Sequence, residues 1–155
     1  MMIQIDTREK PRAIRHIVMD FDRYRVPYFR SKLVCGDYCD LDNARFCVDR
    51  KQNLLELCQN IGKEHKRFSD ELRRAQRLGI KLVFLVENSE GIQCLDDVRR
   101  WVNPRLKVSP AAISGNQLYK TLLTIERVYD TKFYFCSTYE TGFRIVELLR
   151  GAVKK

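Results

Sequence analysis

The chain alternates between short extended runs and stretches with helical spacing of apolar residues. Met2–Asp6 alternates weakly and breaks at Thr7-Arg8-Glu9-Lys10-Pro11, which reads as a strand ending in a polar loop. From Ala13 the apolar positions Ile14, Ile17, Val18 and Phe21 recur one helical turn apart, and this helix should stop before Pro27. Val26–Val34 is extended in character, with Pro27 placing its start at a sheet edge. A hairpin follows and would complete a three-strand meander. Leu54, Leu55, Leu57, Cys58 and Ile61 make a short helix closed by Gly62. Phe68, Leu72, Ala75 and Leu78 stripe the next one, closed by Gly79. Lys81–Val86 is a near-continuous apolar strand of the kind buried on both faces. Leu95–Val102 suggests a short helix, and Pro104 and Pro110 a loop. Ser114 can cap a helix through Val128, with Leu118, Leu122, Ile125 and Tyr129 inward. Lys132–Cys136 is a second apolar strand, and Ser137-Thr138-Tyr139-Glu140 is a capping-box pattern opening a helix through Leu149. This order predicts an α/β sandwich around a mixed central sheet, in one domain over residues 1–155.

Composition narrows the partners. Lys and Arg number 29 against 20 Asp and Glu, a formal charge of +9, which favours a polyanion; nucleic acid is the commonest and an acidic membrane surface the rival. No apolar run approaches the roughly 20 residues that span a bilayer, and the N-terminus lacks a signal-peptide apolar region. The expectation is an intracellular protein, cytoplasmic or nuclear, with no membrane partner. Six cysteines sit mostly in apolar or strand-like runs and should pack as reduced small hydrophobes. The spacing of Cys35, Cys39 and Cys47 matches no standard zinc finger, and no histidine is near them.

Gly36–Lys51 carries the most chemistry. Asp42-Asn43-Ala44 is turn-forming, and its flanks Tyr38-Cys39 and Phe46-Cys47-Val48 suit a pleated surface. A reversal centred on Asn43 sets Asp37 opposite Asp49, with Cα atoms roughly 4.5–5.5 Å apart; a slip of one residue would face Asp49 with Tyr38 instead. Alternation puts Asp49 and Lys51 on one face, Val48 and Arg50 on the other. Opposed like charges need an offset. Either they form a solvated edge, or they hold a divalent cation between hard oxygens with a lysine beside it.

Asp37, a spacer of about a dozen residues and then Asp49-Arg50-Lys51 form the PD-(D/E)xK arrangement of metal-dependent nucleases. Two carboxylates would hold Mg²⁺, and the lysine would orient a water or stabilise the pentacovalent transition state. Asp6-Thr7-Arg8-Glu9, Gly36-Asp37-Tyr38 and Val48-Asp49-Arg50-Lys51 together resemble the signature of the XPF-type (ERCC4-domain) structure-specific endonucleases. Arg67-Phe68, Leu85-Val86-Glu87 and Phe133-Tyr134-Phe135-Cys136 extend the likeness over essentially the whole chain.

The resemblance implies a restriction-endonuclease-like fold that cuts DNA with Mg²⁺ or Mn²⁺. It implies Asp37 and Asp49 as metal ligands, Lys51 as catalytic lysine and Arg50 as support for the phosphate or metal. Asp6 and Glu9 would complete the acidic cluster, and Arg8 and Arg67 would face the DNA backbone. Three departures stand out. The family glutamate is Asp49; the acid expected four residues after the lysine is Leu55, with Glu56 one further on; and the sequence lacks the tandem helix-hairpin-helix domain with which many relatives dimerise and grip branched DNA. A homodimer or heterodimer therefore stays open. So does the rival reading, a catalytically silent DNA- or partner-binding member of the fold. Arg73, Arg74 and Arg77 read as a solvated helix face, His65 as a surface residue, Glu87 as a strand-end support or cap, and Trp101 as a core or loop anchor sharing an apolar stripe with Val98 and Val102.

Overall fold

A computed structural model describes residues 1–153. Six strands form one mixed sheet: β1 (Ile3–Ile5), β2 (Tyr28–Arg30), β3 (Tyr38–Asp40), β4 (Asn43–Lys51), β5 (Lys81–Glu87) and β6 (Phe133–Cys136), in the order β2-β1-β3-β4-β5-β6. Among the described residues five α-helices flank it: α1 (Arg15–Arg23), α2 (Leu54–Ile61), α3 (His65–Arg77), α4 (Gly115–Tyr129) and α5 (Thr141–Val153). The expected α/β fold, with a restriction-endonuclease-like mixed sheet between helices, is the fold observed.

The sheet separates two apolar layers because successive side chains of a strand point to opposite faces. On β5, Leu82, Phe84 and Val86 join the layer under α2, α3 and α4, where Phe68, Leu72, Leu118 and Leu122 are buried. Val83 and Leu85 face the other way and meet Ile17 and Phe21 of α1 and Ile145 and Leu149 of α5. The same alternation on β4 sends Cys47 to the first layer and Val48 to the second. Trp101 closes the first layer as an anchor, whereas Val102, expected on the same stripe, is solvent-exposed. The Leu95–Val102 helix is a 3₁₀ segment, Leu95–Arg100. Ser114 caps α4 through a reciprocal box with Gln117, and Ser137 forms the expected box with Glu140.

The meander does not form. Tyr28–Arg30 pairs in parallel with β1, and β1 then pairs antiparallel with β3. The reason is α1: β1–α1–β2 is a strand–helix–strand crossover, which buries the apolar face of the helix against the sheet and sends β2 to the outer edge. That edge accommodates Pro27. The hairpin turn also differs. Its two-residue turn is Leu41-Asp42, with Asp40 paired to Asn43. An irregularity between Cys39 and Asp40 then absorbs extra residues of β4, and Cys39–Cys47 and Tyr38–Val48 pair in the expected register.

Candidate active site

The C-terminal end of β4 opens into a cleft of about 270 Å³ walled by Arg8, Glu9, Asp37, Asp49, Lys51, Glu56, Arg67 and Glu71. Gly36 sets the approach. Its φ of +71° lies in the left-handed region, and an added Cβ would stand 3.1 Å from Cys47 Cβ and from Leu82 Cδ1, so a side chain here would strain both backbone and packing. Asp37 follows immediately. Its backbone N–H donates to the Val48 carbonyl at 2.9 Å and its Oδ2 accepts the Arg50 N–H at 2.8 Å. One Asp37 oxygen is thus bound to β4, at the level of Asp49 in the register continued from Tyr38–Val48.

Asp49 is buried, with Lys51 Nζ 2.8 Å from its Oδ1. The ammonium approaches outside hydrogen-bond geometry, leaving Oδ1 without a directed partner. Burial raises the Asp49 carboxyl to about 6, with Glu71 and Glu56 adding to the rise and Lys51 opposing it. Burial also raises Asp37 well above the ordinary carboxylate value, reinforced by the charges of Asp49 and Glu9. Lys51 responds oppositely. Burial would lower its pKa, but Asp49, Asp37 and Glu56 outweigh that and hold the ammonium protonated. The Phe68 and Phe84 rings lie under it, with centroids at 5.8 and 5.7 Å, a cation–π distance.

Arg50 turns away from this group. Its guanidinium lies on the α1/α5 side of the sheet, where Nε and Nη2 grip Glu9 at 2.7 and 2.9 Å and Nη1 makes a longer 3.5 Å contact with Glu87. Tyr38 Oη donates to the same Glu9 at 3.0 Å, and His16 Nε2 is 3.1 Å from Glu87. Glu9 and Arg50 neutralise each other, so neither is a free ligand. Both line the cleft, and paired there they lock the loop after β1 to β4.

Asp6 is one layer deeper. It is fully buried and does not line the cleft. One oxygen accepts Arg8 N and Nε at 2.8 and 2.7 Å, the other the Leu33 N–H at 2.6 Å. Burial pushes its carboxyl up, but these donors outweigh it and leave the pKa lowered. Asp6 therefore does not join the acidic cluster at the cleft; it shapes the loop that presents Arg8, whose Nη2 reaches Gly36 O at 3.3 Å. Arg67 stands exposed on the rim.

Leu55, where an acid was expected, packs against the apolar layer under α2 and α3. Glu56 reaches the cleft wall, yet its Oε2 accepts the Gln52 N–H at 2.7 Å while Asn53 caps its own N–H. Sequence reasoning missed Glu71. Its position on α3 four residues after Arg67, one turn along the same helix face, was the available signal.

These residues can hold a hard cation. Asp49 Oδ1 lacks a directed hydrogen bond, and cation binding would relieve the repulsion between two acids. Among the described residues no three His, Cys, Asp or Glu side chains form a ready cage; Mg²⁺ needs none, since it is commonly held by one or two carboxylates plus waters.

A family model described as the ERCC4 domain matches residues 5–149. The chain belongs to the ERCC4-domain family. Among solved structures, this ERCC4 domain is similar to XPF from Aeropyrum pernix, with a TM-score of 0.67 and 17% identity over 100% of this chain and 63% of that one. It is also similar to XPF from Aeropyrum pernix in complex with DNA, with a TM-score of 0.69 and 18% identity over 99% of this chain and 65% of that one. At such identity the likeness speaks to the fold, and this chain spans less than two thirds of the length of both. No curated protein sequence matches. Among the described residues no helix is long and apolar enough to cross a membrane.

Proposed function

We propose that residues 1–155 form a single nuclease domain, a Mg²⁺- or Mn²⁺-dependent DNA endonuclease that hydrolyses phosphodiester bonds, with branched or flap DNA of repair or recombination as the substrate class. The observation that carries this reading is the meeting of Asp37, Asp49 and Lys51 in one polar cleft, with both carboxyls raised and the lysine held protonated. Asp37 and Asp49 would hold the cation. When bound, the cation neutralises charge on the scissile phosphate and acidifies a water. Lys51, as a fixed cation, donates to a phosphate oxygen and stabilises the charge that grows there in the transition state. Arg50 and Glu9 hold the β1 loop against β4. Arg8 and Arg67 at the cleft wall, together with the net charge of +9, favour the DNA backbone.

A second reading, a catalytically silent DNA- or partner-binding domain, draws on Leu55 and on the engagement of Glu56 in capping α2. The experiment that separates the two incubates the purified protein with duplex, flap, fork and single-stranded DNA in Mg²⁺, Mn²⁺ or EDTA. Metal-dependent cutting of a DNA substrate supports the nuclease; salt-sensitive DNA binding with no turnover and no metal-induced thermal shift supports the silent domain.

A further inference from the structure

One carboxylate in the cleft has no role in the scheme above. Glu71 projects from α3 into the wall shared with Asp37 and Asp49. Its Oε1 accepts the Gly36 N–H at 3.0 Å, so α3 pins the residue just before Asp37. Among the described residues no lysine or arginine forms an ion pair with it, although Arg67 and Arg74 flank it on the same helix.

Anchoring Gly36 requires only a neutral acceptor. A carboxylate instead adds negative charge beside Asp49, already buried among like charges. Such a charge has a purpose if a cation occupies the cleft. The second pointer is independent of Glu71: Asp49 lines the same cleft at only 4% exposure, and its Oδ1, although 2.8 Å from Lys51 Nζ, has no partner in hydrogen-bond geometry. Among the described residues the acids do not converge into a direct cage, which limits the mode of action. A hydrated Mg²⁺ keeps several of its waters when bound, and an acid set back from the ion is placed to accept from one of them.

We infer that Glu71 is a third acid of the cation site, gripping the ion through a coordinated water with one oxygen while the other fixes Gly36 beside Asp37. The inference rests on the reading of Asp37 and Asp49 as cation ligands. Glu71 is thereby a positioning residue for both the ion and the Asp37 turn.

Direct Mn²⁺ titration, followed by the electron paramagnetic resonance of the free ion without DNA, tests this in the wild type, Asp49→Asn, Glu71→Gln and Asp70→Asn. Glu71→Gln keeps an acceptor for Gly36 and removes only the charge, so it should fold with a metal-free Tm at or above that of the wild type. Its Mn²⁺ Kd should rise about tenfold, as for loss of an outer-shell partner. Asp70→Asn deletes the same charge one residue away, at an exposed pair with Lys66, and should leave the Kd within about twofold, as expected for a screened surface charge. Wild-type affinity in Glu71→Gln, or an equal loss in Asp70→Asn, would overturn the inference. Equal Mn²⁺ binding by the wild type and Asp49→Asn would instead remove the metal site itself, and with it this role.

Discussion

Lys51 Nζ stands 2.8 Å from Asp49 Oδ1, two residues along the same face of β4. The aromatic floor of Phe68 and Phe84 leaves the ammonium no apolar escape, and the surrounding carboxylates keep it charged. In the proposed mechanism it serves as a positioned cation rather than as a base. Lys51→Met preserves most of the stem packing and removes the charge. Single-turnover cleavage should therefore fall on the order of 10²–10³-fold, the scale for loss of one transition-state charge donor, while DNA affinity changes little.

The raised Asp49 carboxyl has a stability consequence of defined sign. Its folded value is about 6 against an ordinary 3.8. The folded state therefore holds the proton more tightly, and the associated stability is lost as pH rises through 6. Asp49→Asn, which mimics the protonated form, should stabilise the metal-free protein by about 1–3 kcal/mol at pH 7.5. The gain should shrink as pH falls from 7 to 5. Urea unfolding in EDTA across this range measures it; a gain independent of pH would argue against burial of an ionised Asp49.

Arg50 and Glu9 make a buried bidentate pair. Removing one partner strands the other charge, so Arg50→Met should cost about 3–5 kcal/mol, the range for breaking a buried pair. Chemical denaturation should report this loss directly. A variant of wild-type stability would show that Glu9 and Glu87 do not depend on this guanidinium.

Arg67 is exposed on the cleft rim, with only a distant 3.9 Å contact to Glu64. Arg67→Ala should leave Tm essentially unchanged and weaken DNA binding alike across sequences. The slope of log K against log salt should shrink by about 1, the signature of one lost phosphate contact. Binding isotherms at several salt concentrations measure it.

Much of this arrangement was legible in the sequence because it is local. The alternation of Val48, Asp49, Arg50 and Lys51 fixed which side chains share a face, and the apolar run of β5 identified a strand buried on both sides. The long-range pairing of β2 was not legible. Residues 26–34 are equally consistent with pairing to β1 or to β3, and only the packing of α1 on the sheet decides between them. The roles of Asp6 and Arg50 were obscured for a related reason: a motif gives residue types, whereas the partners Leu33, Tyr38 and Glu87 come from other elements. Glu71 escaped notice because no short motif joins α3 to Gly36 across 35 residues.

The most direct measurement is Mg²⁺-supported, single-turnover cleavage of a flap or fork substrate by the wild type, Asp37→Asn and Lys51→Met, purified identically. The predicted result is cleavage by the wild type that EDTA abolishes and that each substitution reduces at least about 100-fold. Cutting that persists in both variants, or a wild type that binds the DNA and never cuts it in either metal, would contradict the assignment of this cleft as a nuclease centre.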